Sequence, residues 1–185
     1  NGYAQLRGEE WRPNGEGVEL SGRHITFERV IVHDNGQDAF QTGGLIEDIT
    51  LQQSWLYNTR KNPTREEAFN YCRHPDGIQI YAGGPQYGLL IEETIIGPGF
   101  MQGVILGQTP TQNGAYAVVH DVTLRNVLFT KAGNANIMGY PRMKSENWVI
   151  DRVTEHCLAD CELALFLEGY DHTVRDSVFL GGNIY

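Results

Sequence analysis

Glu16, Asp38 and Asp76 stand at equivalent places in successive copies of one sequence pattern, and Gln102 stands at the next copy. If those copies form neighbouring strands, about 4.8 Å apart, Asp38 and Asp76 fall on one line. Two carboxylates so placed can do three things. They can hold a hard cation such as Ca²⁺ through oxygen ligands, with Glu16 adding a third carboxylate. They can act as an acid/base pair, one pKa raised by the other. Or each can fix a turn by accepting backbone N–H bonds. For glycoside hydrolysis the separation would decide the outcome, about 5 Å for retention and about 6.5–9.5 Å for inversion. His74, two residues before Asp76, titrates near neutrality and could be a general base; a loop histidine bonded to backbone is the other reading. His33 is a weaker case of the same kind. His120 and His156 read as structural residues at strand edges, and His24 and His172, at strand starts, carry no signal.

Ahead of His74, residues 59–73 carry Arg60, Lys61, Arg65 and Arg73 together with Phe69 and Tyr71. Such a segment suits an anionic sugar chain, because Arg pairs bidentately with carboxylates and aromatic faces pack on apolar ring faces. β-Elimination at a uronate needs a cation to neutralise the carboxylate and a base to remove the α-proton. His74, Lys61, Arg73 or Tyr81 could supply the base. A solvated loop, its charge offset by Glu66 and Glu67, is the alternative. Lys131 and Arg142, with Lys144, form a second basic group that would either lengthen a groove or only keep the surface soluble. Strand alternation turns Gln41 and Gln79 outward if Phe40, Ile78 and Ile80 point inward, for a ladder of amides or for sugar hydroxyls. Trp55, between Ser54 and Leu56, also turns outward and could stack on a sugar, whereas Trp148 occupies a core slot. Trp11 carries no information.

The elements that must position these residues are set by a repeat. Its pattern is apolar, x, apolar, x, x, small or apolar, x, apolar: Ile25, Phe27, Val30, Val32; then Ile49, Leu51, Ser54, Leu56; then Leu89, Ile91, Thr94, Ile96; then Val122, Leu124, Val127, Phe129. Weaker copies follow at Trp148, Ile150, Val153, with Glu155 in the last place, and at His172, Val174, Ser177, Phe179. Starts at 25, 49, 89, 122, 148 and 172 give gaps of 24, 40, 33, 26 and 24 residues. A spacing of two with β-branched residues is strand spacing. One repeat cannot bury its apolar face alone, so stacking must make the core. The expectation is an all-β parallel β-helix, a solenoid of about six coils, in a single domain spanning residues 1–185. The 40- and 33-residue gaps imply added loops at residues 59–73 and 107–117, with a shorter one at 139–147, and loops are where function concentrates.

Composition narrows the role. Of 185 residues, 41% are hydrophobic and 20% charged, which excludes a disordered chain. No apolar run approaches the roughly 20 residues of a membrane helix. Lys plus Arg is 14 and Asp plus Glu 23, for a net charge of -9, which argues against nucleic acid or an anionic membrane as partner. Cys72, Cys157 and Cys161 form no CxxC and no zinc spacing; they read as buried thiols, with a Cys157–Cys161 or Cys72–Cys157 disulfide left open. The chain opens on Asn1 and stops within a repeat, which reads as a processed chain or a fragment of a longer one.

The run His74-Pro75-Asp76-Gly77-Ile78-Gln79-Ile80, then Gly83-Gly84, then Leu89-x-Ile91-x-x-Thr94-x-Ile96, resembles the right-handed parallel β-helix superfamily, the pectate-lyase-like group of polysaccharide lyases, glycoside hydrolases, uronan epimerases and phage tailspikes. Asp34-Asn35-Gly36-x-Asp38-Ala39-Phe40 is similar to a coil of the same group. The paired-Asp and Gly-His-Gly motifs of polygalacturonases and the Asp-Pro-His-Glu motif of alginate epimerases are absent. The resemblance implies a right-handed coil and a secreted, extracellular or periplasmic carbohydrate-active protein. On that basis we expect a lyase on an acidic polysaccharide, with Asp38, Lys61, Arg73, His74 and Asp76 catalytic. Gln41, Trp55, Arg60, Arg65, Tyr71, Gln79, Tyr81, Lys131 and Arg142 would bind substrate, and Glu16, Asp38 and Asp76 would hold Ca²⁺. A non-catalytic glycan-binding or structural β-helix of a tailspike, adhesin or surface fibre is the second reading, and a hydrolase with paired carboxylates the third. A homo-oligomer, or further coils of a longer chain, would cover the strand edge of the last repeat.

Overall fold

A computed structural model describes residues 6–7, 10–11, 17–35, 37–58, 75–81, 86–107, 119–130, 135–139, 145–156, 163–181 and 183–184. Among them every regular element is a strand. Leu6–Arg7 and Glu10–Trp11 form an antiparallel pair. All other pairing is parallel and joins a strand to its counterpart one repeat away.

Three stacks of strands result. The first contains residues 18–20 and 40–42, which open the long strands Val18–Glu28 and Phe40–Gln52, followed by Asp76–Tyr81, Gln102–Gly107, Ala135–Gly139, Leu163–Phe166 and Asn183–Ile184. The second runs through the later parts of the two long strands into Gln86–Glu92, Val119–Arg125, Val149–Asp151 and Thr173–Arg175. The third is a separate six-stranded sheet of Ile31–His33, Trp55–Tyr57, Ile95–Ile96, Leu128–Thr130, Thr154–His156 and Val178–Leu180. The two long strands fuse the first and second stacks into one 13-stranded sheet.

The sequence pattern is the register of these stacks. Ile25 pairs with Ile49, Ile49 with Leu89 and Leu89 with Val122, so the 40- and 33-residue gaps leave the pairing intact. Ile49, Leu89, Val122 and Trp148 are buried in one core with Leu51, Ile91, Leu124 and Ile150 from the next inward row. Each such side chain contributes about 1.5–3 kcal/mol of burial. The small position has its own task. Ser54 Oγ donates to the Gln52 carbonyl at 2.7 Å and accepts the Val30 N–H at 3.2 Å. Ser177 repeats this with the Arg175 carbonyl at 2.7 Å and the Val153 N–H at 3.0 Å. The hydroxyl therefore closes the bend of its own repeat and ties it to the one before.

Two corners recur in every repeat. The first holds His24, Asp48, Gly88, Asp121, Asn147 and Asp171; the second holds Arg29, Gln53, Glu93, Asn126, Arg152 and Asp176. All have φ between 48° and 73°. That left-handed backbone costs a non-glycine residue about 1–2 kcal/mol, least for Asp and Asn. At Gly88 a Cβ would lie 2.7 Å from Asp48 Oδ1 and 3.1 Å from the Asp48 backbone nitrogen, so a side chain at that corner would have to push Asp48 aside.

The last two repeats are bound by His172. The Trp148 N–H donates to its Nδ1 at 3.2 Å. The ring proton therefore sits on Nε2, 3.1 Å from Ser145 Oγ, which in turn donates to the Glu168 carbonyl at 2.6 Å. Burial holds the imidazole pKa below its ordinary value.

Candidate functional site

The first stack aligns the acids. Gln102 pairs with Asp76, and the Phe40–Ile78 register sets Asp38 beside Asp76. All three are buried. Asp38 Oδ1 accepts the Asp76 backbone N–H at 2.9 Å. With its nitrogen facing the carboxylate, the Gln102 amide donates to the two Asp76 oxygens at 2.9 and 3.3 Å. The contacts of this row thus include the turn-fixing hydrogen bond, and a Ca²⁺ held there would compete with these N–H donors for oxygen. Glu16, Arg60, Lys61, Arg65, Tyr71, Arg73, His74, Lys131 and Arg142 lie outside the described residues, as do the side chain of Tyr81 and all three cysteines. Gln41 and Gln79 sit half-buried on the outer side of the same stack, the Gln41 amide donating to Gln79 Oε1 at 2.8 Å. Each retains hydrogen-bonding capacity beyond that bond.

The third sheet turns an aromatic step outward. Trp55 is 42% exposed, and its indole N–H is pinned to the Gly97 carbonyl at 3.1 Å. Its ring lies 4.4 Å from that of Tyr57, and Tyr57 stacks on His33 at 5.1 Å and 7°. His33 Nδ1 must donate to Asp34 Oδ2, 3.0 Å away, since a carboxylate only accepts. A shallow groove beside Trp55 is lined by Ile31, Ile95, Arg29, Gln53 and Glu93. Gln53 donates to Glu93 at 3.0 Å, an exposed amide–carboxylate pair among the lining residues of the groove.

A second group of titratable side chains runs along the second stack, just before the first corner. The register places Glu47 beside Tyr87 and Tyr87 beside His120. Tyr87 stacks on His120 at 5.2 Å and 17°. A hydrogen bond to Glu47 raises the Tyr87 phenol above its ordinary pKa. His120 Nδ1 donates to Asp121 Oδ2 at 2.8 Å, leaving Nε2 for a ligand. That bond first, then one from the Asn147 amide, holds the Asp121 carboxyl below its usual value. Nearby, His24, Glu47 and Asp48 bring ligand atoms within 4.8 Å of one another. Arg23 Nε already pairs with Glu47 at 2.6 Å, so a cation there would displace a guanidinium.

Sequence reasoning singled out Trp55, Gln41 and Gln79 but passed over Tyr57, Tyr87, Glu47 and Asp121, and read His120 as structural. Their signal was positional. Glu47, Tyr87 and His120 each stand two residues before a repeat start, a row visible once the copies are superposed. No protein-family model, curated protein or solved structure matches this chain.

Proposed function

We propose that the chain is a single domain of right-handed parallel β-helix that binds an acidic polysaccharide outside the cell or in the periplasm. One observation carries the reading: the aromatic step of Trp55, Tyr57 and His33 stands on an outward sheet face, beside a groove whose lining includes the hydrogen-bonded Gln53 and Glu93. A pinned indole offers a flat apolar surface of the kind that packs on the axial C–H face of a sugar ring, and Gln53 and Glu93 offer hydrogen bonds to hydroxyls. The strand Trp55–Tyr57 leads in sequence directly towards Arg60, Lys61, Arg65 and Arg73, the cations that favour uronate carboxylates. The resemblance of residues 74–96 to pectate-lyase-like repeats supports the same partner. The test is isothermal titration with a panel of neutral and uronic-acid polysaccharides. Binding of the acidic members only is expected, and Trp55→Ala should weaken it about tenfold, or ~1.4 kcal/mol. Equal affinity of Trp55→Ala and the native chain would reject this face.

A lyase is the second reading, favoured by the His120–Asp121 pair beside Tyr87. In β-elimination one of these groups would take the uronate C5 proton while the other returns a proton to the departing O4 oxygen, leaving a C4–C5 double bond. Absorbance near 235 nm, with Ca²⁺ and with EDTA, reads that product. A flat trace on polymers that bind would leave the chain a glycan-binding module.

A further inference from the structure

Three arginines of the later repeats share one acid. Arg152 and Arg175 each reach Asp151 Oδ2 at 3.2 Å, and Arg125 Nε lies 4.0 Å from the same oxygen. The Asp151 carboxylate is buried, and among the described residues no group bonds its Oδ1. None of the three therefore completes the two-pronged pair that a guanidinium makes best with a carboxylate. Earlier repeats differ. Arg29 holds Glu28 with both prongs, at 3.1 Å each, and Arg23 pairs with Glu47. Arg125 also bonds Glu92 at 3.2 Å, yet three cations still face only two carboxylates in this cluster. The three arginine side chains are exposed, and a guanidinium has five N–H donors, so each keeps donors for another acceptor.

The cluster stands on the same edge as the groove beside Trp55. In the second corner Gln53 is followed one repeat on by Glu93, then by Asn126, then by Arg152. On the adjoining sheet Trp55 is followed by Ile95, Leu128 and Thr154. Arg152 therefore lies three strand spacings from Trp55 along the stack, about 14 Å. Its Nε donates to Asn126 Oδ1 at 2.8 Å, which holds the guanidinium at the corner. Arg125 ends its strand one repeat closer to Trp55. Glu93 and Asp176 bound the positive spot on its two sides, so it suits one acid group and not a run of them. A pyranose polymer advances by about one strand spacing per ring, so a chain lying along this edge passes from Trp55 to Arg152 within a few rings.

We propose that the acidic polysaccharide lies along this edge, parallel to the axis of the stack, with one sugar ring on Trp55 and one carboxylate, a few rings on, in the fork of Arg125 and Arg152. The inference rests on the sugar reading of Trp55 and adds to it the direction of the bound chain and the residues that hold its charge. Salt should weaken the arginine contact, because the guanidiniums are exposed. Arg152→Gln leaves Arg175 on Asp151 and keeps an amide beside Asn126, so the repeat retains its ties.

Isothermal titration of a uronic-acid hexasaccharide over a salt series is the test, with the native chain, Arg152→Gln and Trp55→Ala. At low salt Arg152→Gln should weaken binding about tenfold, the loss of a hydrogen bond to a charged group. Its affinity should also depend less on salt than that of the native chain, whereas Trp55→Ala should keep the native salt dependence. A merely misfolded variant would not separate the two in this way. Loss at Trp55→Ala without loss at Arg152→Gln would overturn the inference and leave the sugar reading standing. A native salt dependence in Arg152→Gln would overturn it as well. Loss at Arg152→Gln alone would set an anion site apart from Trp55 and reject the shared path. No binding by the native chain would reject both the inference and the sugar reading.

Discussion

Replacing Asp38 separates a structural carboxylate from a catalytic one. Its Oδ1 is 2.9 Å from the Asp76 N–H, in a site where Asp76 has no exposed surface. Asp38→Ala removes that acceptor, and water cannot replace it without opening the stack. A buried donor left without its bond costs about 1–3 kcal/mol, and a carboxylate acceptor places the value towards the upper part. We expect a loss of about 2 kcal/mol, which for a chain of this size is a fall of about 4–8 °C in Tm. Asp38→Asn keeps an oxygen for the same N–H and should cost about 1 kcal/mol or less. The assay is urea and thermal unfolding of the three proteins side by side. Asp38→Ala within about 0.5 kcal/mol of the native chain, as for a featureless surface site, would refute the reasoning. An Asn variant as stable as the native chain but without activity on a cleaved polymer would return Asp38 to catalysis.

Three further outcomes follow from the packing and the titrations. Trp148→Ala empties a fully buried core slot and should cost about 3–5 kcal/mol, read from the urea midpoint. His172 has its folded pKa lowered from 6.5, so its contribution is complete above pH 6.5 and lost as pH falls below it; the protection factor of the Trp148 amide, corrected for the intrinsic exchange rate at each pH, should fall as the pH drops below 6.5, and unchanged protection would contradict the neutral ring. Asp121 is lowered from 3.8, chiefly by the His120 bond, so its stabilisation is present above about pH 4 and lost as acid protonates it; His120→Ala should move the Asp121 carboxyl ¹³C titration upward.

What the sequence made legible was periodicity. The apolar positions from Ile25 to Phe129 coincide with the parallel register, because an inward row admits few side chains and repeats every turn of the chain. The acid line of Asp38, Asp76 and Gln102 was equally visible. Its burial was not, since Asp is usually a surface residue and the pattern of neighbours does not reveal which way a turn carboxylate faces. Trp55 stood out by alternation and shares its strand with Tyr57, but the stacking of Tyr57 on His33 depends on contact between strands of neighbouring repeats. The Tyr87–His120 pair was hidden for the same reason, its members 33 residues apart in sequence and adjacent only through a register that spans an insertion. Glu155 shows the limit of pattern: it fills an apolar slot as a fully buried acid, and nothing in the spacing of its repeat explains it.

The two left-handed corners are five residues apart in all six repeats, from His24 to Arg29 through to Asp171 to Asp176, whereas chain length elsewhere varies freely. Those segments behave as fixed cassettes joined by exchangeable connectors. The longest connector, residues 59–73, leads in sequence into the strand that bears Gln79, and the pairing on either side of it keeps its register. A designer grafting new loops would change chain length at the connectors while the five-residue spacing of the corners holds the ladder in register.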